Sequence, residues 1–137
     1  MSSDNTKTCM GFYEHFRPDE VDDLMALVHP DYVSHGLGGG GWASLRRDVQ
    51  GFLAAFDNLT FTIEDTVTEG DTVSVRTTMR GTHVGPFAGA PASGNAFRVA
   101  GCDVFKLRDE RIVEAWTLCD SATLFMQIGA LTARNGG

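Results

Sequence analysis

The chain lacks most of the features that identify a function directly. Its cysteines number three, Cys9, Cys102 and Cys119, an odd count at spacings that match no zinc motif. Reduced, part-buried thiols in a cytoplasm are the expectation, not a disulfide framework. No apolar run is long enough to cross a bilayer, and no basic-then-apolar signal segment is read at the N-terminus. Positive charge is scarce. Eleven Lys and Arg against 18 Asp and Glu give a net charge of -7, which argues against non-specific binding to nucleic acid or to an anionic membrane. There is no Gly-x-Ser-x-Gly nucleophile elbow. The glycine run Gly38–Gly41 follows no long strand and precedes no Gly-Lys-Ser/Thr, so a phosphate loop is not read there. No set of His, Asp and Glu has convincing metal spacing, so no metal is expected.

What is present is an ordinary globular composition, 137 residues of which 42% are hydrophobic. That length fits one domain, 1–137 with its core at about 6–130, burying about two thirds of the extended-chain surface. Residues 1–5 are polar and read as frayed. From Thr6 to Phe16, the residues Cys9, Phe12, Tyr13 and Phe16 recur at helical spacing. Asp19 can cap a second helix with Val21, Leu24, Met25, Leu27 and Val28 as its stripe, ended by His29-Pro30. Asp31 to His35 reads as a short extended piece, with Tyr32 and Ser34 facing opposite to Val33 and His35. The Gly36–Gly41 loop suits either a mobile lid or a plain linker. Trp42 to Phe56 is a third helix, buried along Leu45, Val49, Phe52, Leu53 and Phe56.

The period then falls from 3.6 to 2. Thr60 to Thr68 places Phe61, Ile63, Asp65 and Val67 on one face. Thr72 to His83 places Val73, Val75, Thr77, Met79, Gly81 and His83 together, with Arg76 and Arg80 facing away. After a Gly- and Pro-rich connection, 85–94, comes a hairpin from Phe97 to Asp120 with its turn at Asp109-Glu110. An unbroken register sets Asp103 opposite Trp116 and Asp120 opposite Val99. One apolar face then carries Asp103, Glu114 and Asp120, and unpaired carboxylates are costly to bury. A bulge would flip one strand. Ser121 to Gly129 is a terminal helix, capped by Asp120 or Ser121. Helices, then strands, then a closing helix make this an α+β domain. The other face of the last hairpin is also apolar, which predicts a second burial partner, most simply another copy of the chain.

The segments HPDYVSH, EGDTVSVRTTMRGTHVGPFAGAPASG, DVFKLRDERIVEAW and CDSATLFMQIG, in that order, resemble the SnoaL-like polyketide cyclases of the nuclear transport factor 2-like superfamily, which also holds ketosteroid isomerase. The resemblance covers about Phe12 to Gly129. It implies a cone-shaped α+β barrel, a curved antiparallel sheet wrapped around N-terminal helices with an apolar pocket, usually as a homodimer. It also implies a cofactor-free intramolecular aldol closure, with an aspartate just before the terminal helix as acid/base. Asp120 holds that place. Departures are Ala115, where relatives commonly carry histidine before Trp116, and Ala90-Pro91-Ala92-Ser93-Gly94 in place of Pro-Pro-Thr-Gly.

The expected catalytic set is therefore Asp120 as acid/base with His35, His83 and Asp103 assisting. Both histidines share the apolar parity of their strands, and each is as readily a structural group. Phe16, Tyr32, Trp42, Phe56, Met79, Phe105 and Trp116 are the expected substrate contacts, for a small apolar or aromatic molecule. The same scaffold also supports accessory hydroxylases and non-catalytic ligand binders, and these stand as alternatives. An epoxide hydrolase is disfavoured because Arg76, Arg80 and Arg98 all take the outward parity.

Overall fold

The computed structural model describes residues 2–36 and 39–130. The order of elements is α1 (Ser2–Glu14), α2 (Val21–Met25), β1 (Val28–Ser34), α3 (Trp42–Ala55), β2 (Phe56–Glu69), β3 (Thr72–His83), β4 (Ala96–Arg108), β5 (Arg111–Cys119) and α4 (Ser121–Gln127). The strands form one five-stranded sheet in the order β1-β5-β4-β3-β2. It is curved and open, and it is mixed, not wholly antiparallel, because β1 runs parallel to β5.

Several boundaries differ from the sequence expectation, each for a local reason. Helix α1 begins at Ser2 and buries Asn5, so the N-terminal residues belong to the helix. Helix α2 is one turn and a half, with Glu20 at its N-cap making no side-chain cap bond. Val28 and His29 leave it for β1, where sheet pairing with Ile112 outweighs helical spacing. Pro30 is tolerated because β1 is an edge strand. Gly38, the first of the four glycines, lies outside the described residues, as do 131–137.

Register shifts in β2 and β5 decide which side chains face the helices. In β2 the register shifts between Ile63 and Asp65, so Phe61 and Ile63 face the concave side. Beyond the bulge Thr66 and Thr68 take over that side, and Asp65 and Val67 turn outward. Asp65 there pairs with Arg76 at 2.7 Å, while Val67 is 67% exposed. In β5 the extra residue is Val113, because Lys106 pairs with Glu114 but Leu107 with Ile112. The turn itself is where it was expected, with Asp109 and Glu110 both at positive φ, 55° and 61°.

Beyond Val113 every β5 side chain is reversed relative to an unbroken hairpin. Asp103 faces Thr117, and Val104 faces Trp116. Glu114, Trp116 and Leu118 therefore lie on the convex face.

The concave face packs two contiguous clusters. One joins Cys9 and Tyr13 of α1 to Leu24, Met25, Val28, Tyr32, Val49, Val73, Val75, Phe105, Leu107, Ile112 and Ala115. The other, nearer the end of β3, holds Ala55, Phe56, Met79, Phe97, Val99, Leu124 and Ile128. Full burial of side chains such as Phe56, Phe105, Leu24 and Ile112 contributes about 1.5–3 kcal/mol each. Gly81 lets the Phe97 ring lie against the sheet, since a Cβ there would meet that ring at 2.9 Å.

Candidate active site

Strand β4 carries Asp103 between Val75 on one neighbour and Thr117 on the other, beneath α1. Helical spacing in α1 sets Cys9 and Tyr13 on one face, aimed at the sheet. The Tyr13 hydroxyl donates to Asp103 Oδ2. Thr117 lies across the strand pair from the same carboxyl. Burial raises the Asp103 pKa, and Tyr13 and then Thr117 only partly oppose that rise. Burial also drives the Tyr13 phenol far upward, with the Asp103 charge as the next cause, so Tyr13 remains a donor at any working pH. The Cys9 thiol is pushed up to about 12 by burial and then by Asp103, and it is inert as a nucleophile. Phe61 and Phe105 flank the Tyr13 ring at 5.4 and 6.2 Å. The arrangement is an acid with a raised pKa, wired to a phenol, on an apolar wall.

Thr117 is exposed, and Gly36 packs beside it, with a Gly36 Cβ position only 3.5 Å from Thr117 Cβ. The described end of the Gly36–Gly41 loop is tied down. Ser34 N donates to Gly40 O at 2.8 Å, and Gly39 and Gly40 have φ of 57° and 117°. A Cβ at Gly40 would meet Ser44 at 2.7 Å.

Asp120 is not part of this cluster. It is exposed and caps α4. Its Oδ1 accepts from Thr123 N at 3.2 Å and its Oδ2 from the Thr123 hydroxyl at 2.7 Å. Those bonds favour the charged form and lower its pKa. The expectation of a desolvated Asp120 on the apolar face is corrected: the Val113 bulge changed the register, and capping took the carboxylate.

His35 is likewise on the convex side and half-exposed. It stacks on Trp116 with ring centroids 4.7 Å apart, and its Nε2 lies 2.5 Å from Glu114 Oε2. Trp116 thus leaves the list of interior contacts, and Glu114 leaves the apolar face.

His83 keeps its expected inward parity and is completely buried. It sits far from Asp103, however. Asp103 pairs with Val75, and His83 lies eight positions further along β3, roughly 26 Å at strand rise. The two cannot serve one reacting atom.

Of the expected substrate contacts, Tyr32 and Phe105 belong to the first cluster, where Phe16 and Trp42 pack against it. Phe56 and Met79 belong to the second. Burial raises the Tyr32 phenol above its ordinary value. Sequence reading passed over Tyr13 as a chemical group and took it only as an aromatic. The signal was its place on the helix face that carries Cys9, directed at the strand holding Asp103.

A groove of about 390 Å³ lies between Met25, Val28, Pro30, Trp42 and Arg111, away from all these acids and histidines. Among the described residues His15, Glu20 and Asp23 bring ligand-type atoms within 4.8 Å of one another. His15 and Glu20 are already paired at 2.8 Å on the surface, which accounts for that cluster without an ion.

Helices laid on the concave face of an open, curved sheet, with polar groups set into an otherwise apolar wall, define the nuclear transport factor 2-like class of α+β scaffold. Residues 7–128 match the family model of the SnoaL-like polyketide cyclases, and the chain belongs to that family. It is similar to IdmH from Streptomyces antibioticus, a candidate polyketide cyclase, at 32% identity, with 91% of this chain and 98% of that one covered and a TM-score of 0.81. TsrD from Streptomyces laurentii matches at 30% identity over 93% of each chain, with a TM-score of 0.78. AclR from Streptomyces galilaeus, a candidate hydroxylase, shares the fold at 20% identity and a TM-score of 0.88, over 99% of this chain and 87% of that one. A search of curated protein sequences finds no match.

Proposed function

We propose that this protein is a cofactor-independent cyclase or isomerase that closes a ring in a polyketide-type natural-product intermediate by an intramolecular aldol step, with Asp103 as the acid/base. The observation that carries the reading is the part-buried Asp103 carboxyl on the concave face, hydrogen-bonded by the Tyr13 hydroxyl, with its pKa raised by desolvation. As carboxylate, Asp103 takes the proton beside a carbonyl. The electron pair forms the new C–C bond to a second carbonyl, whose oxygen becomes an alkoxide. The proton then passes from Asp103 to that oxygen, so the product is an isomer of the substrate and nothing is oxidised or reduced. A carboxyl with a pKa moved toward neutrality serves both halves of this exchange. A neutral carboxylic acid and a tyrosine in an apolar site are also the means by which ketosteroid isomerase stabilises an enolate. Membership of the family supports the substrate class.

The role expected of Asp120 passes to Asp103 in this proposal, because an exposed helix cap with a lowered pKa is poorly suited to proton transfer near neutrality. The test is Asp103→Asn, assayed on polyketide ketones with mass-spectrometric detection of an isomeric product. Turnover should fall by about 10²–10⁴ while the fold is retained. Full activity in Asp103→Asn, with loss in Asp120→Asn, would return the role to Asp120. A product heavier by one oxygen, formed only with O₂ and a reductant, would favour the hydroxylase alternative.

The proposal extends to assembly and compartment. The convex face presents Leu118 at 69% exposure and Val33 at 46%, beside Trp116 and Val104. Scattered apolar residues are ordinary, but a contiguous set on a sheet face favours a partner, and a second copy of the chain is the simplest. Three free thiols suit a reducing cytoplasm.

A further inference from the structure

Arg111 opens β5 directly across the hairpin from Arg108. Like charges at such a pair of positions repel each other. The chain supplies one anion to the pair, since Asp31 Oδ2 lies 3.3 Å from Arg108 Nη1. Arg111 makes no hydrogen bond or ion pair among the described residues, even though Asp109 and Glu110 of the turn are beside it in the chain. Arg46 is taken by Asp22 at 2.6 Å. Of Arg46, Arg108 and Arg111, only the last is without an anion.

Arg111 is also the one charged side chain that lines the groove of about 390 Å³ on the outside of the domain. That volume falls within the range of small-molecule sites, about 300–1,000 Å³. Met25 and Val28 lie deepest, each 2% exposed. Ala26 and Pro30 are exposed, and Trp42 is half-buried. The groove has a cause in the strand pairing. From Val28 to Val33 β1 takes five steps, while β5 takes two from Ile112 to Glu114. Pro30 lies in that extra length. Irregular strands of this kind are over-represented beside binding and active sites.

We infer that this groove is a second ligand site, which takes an aromatic monocarboxylate of one or two rings. The carboxylate meets the Arg111 guanidinium, whose planar fork matches it, and the rings lie on Met25 and Val28 beside Trp42. Charge complementarity selects this occupant. A neutral hydrocarbon would desolvate Arg111 and leave it unmatched, and a dianion would exceed the single cation that lines the groove. The site is away from Asp103 and requires nothing of the reaction proposed above.

The test compares 2-naphthoate with 2-naphthamide, which has the same shape and no charge, by isothermal titration calorimetry. The parent protein should bind the carboxylate roughly two- to fivefold more tightly, the worth of one exposed charge pair. In ¹⁵N-tryptophan-labelled protein the naphthoate should shift the indole N–H resonance of Trp42 and leave that of Trp116 in place, the two being assigned through Trp116→Phe. Arg111 is exposed, so Arg111→Gln should keep the fold; it should bind the two probes equally. Asp103→Asn should bind both as the parent does.

The inference is overturned if neither probe binds below about 1 mM, if the parent shows no preference, or if the preference survives in Arg111→Gln. It is overturned equally if Trp116 shifts instead of Trp42, or if Asp103→Asn loses the probes, which would place them at the candidate active site. No binding, together with a dimer that Arg111→Gln weakens in sedimentation velocity, would make the groove an interface between copies and remove the ligand site.

Discussion

Replacing Tyr13 by Phe removes one oxygen and keeps the ring that packs on Phe12, Phe61 and Phe105 at 5.6, 5.4 and 6.2 Å. Asp103 then loses its side-chain hydrogen bond, and of the two groups that favour its charged form only Thr117 is left. A hydrogen bond to a charged acceptor has a net value of about 1.5–3 kcal/mol, and one to a neutral acceptor about 0.5–1.5 kcal/mol. The variant should therefore lose about 2–3 kcal/mol where Asp103 is ionised and about 1 kcal/mol where it is protonated. The sign follows from linkage. Burial raises the folded-state pKa of Asp103, so the stability this group contributes is fully present below the unfolded value of about 3.9 and is lost as pH rises through the folded value. The bond from Tyr13 lowers the folded value, so its removal deepens that loss and extends it to higher pH. Urea unfolding of both proteins at pH 5 and pH 8 measures the effect, and titrations common to both cancel in the difference. A penalty that is equal at the two pH values, or smaller at pH 8, would refute an interaction between Tyr13 and an ionising carboxyl. The same variant should shift the acidic limb of the kcat profile toward higher pH, because Asp103 must lose its proton to act as base.

Asp120→Ala should lower Tm at neutral pH by loosening α4 while turnover per folded molecule stays within a few-fold. Its cap bonds depress the folded pKa, so the stability they add is present above about pH 4 and lost as pH falls through the folded value; the gap in Tm from the parent should close in acid. Gly85→Ala should cost about 1–3 kcal/mol in denaturant titration, because its Cβ would meet the Ala54 carbonyl oxygen at 2.6 Å, a main-chain atom that cannot turn aside. Leu118→Lys should convert a dimer to a monomer in sedimentation velocity without changing the far-ultraviolet circular dichroism; a parent protein that is already monomeric, or a variant that still dimerises, would remove the convex face as the interface.

How much of this was legible in the sequence follows from where its periods hold. Strand β3 is unbroken, and its alternation placed Val73, Val75, Thr77, Met79 and His83 on the correct side. β4 did the same for Val99, Asp103 and Phe105. Alternation carries no mark of an inserted residue, so the bulges at Glu64 and Val113 could not be seen, and each reversed everything beyond it. The reversal at Val113 has the larger consequence. It takes Glu114 and Trp116 off the concave face, hands them to His35 on the outside, and leaves Asp103 as the carboxyl that faces α1. Local chemistry then accounts for Asp120. An aspartate directly before a short helix, with Thr123 three residues on, gains more by capping than it would by desolvation. The same reasoning limits the catalytic proposal to a testable form. Asp103 lies mid-strand between β3 and β5, far from any helix start, and the side chain that hydrogen-bonds it is Tyr13. A carboxyl whose one donor comes from a helix packed over the sheet retains a raised pKa, and a raised pKa is what one acid/base group needs to take a proton and give it back.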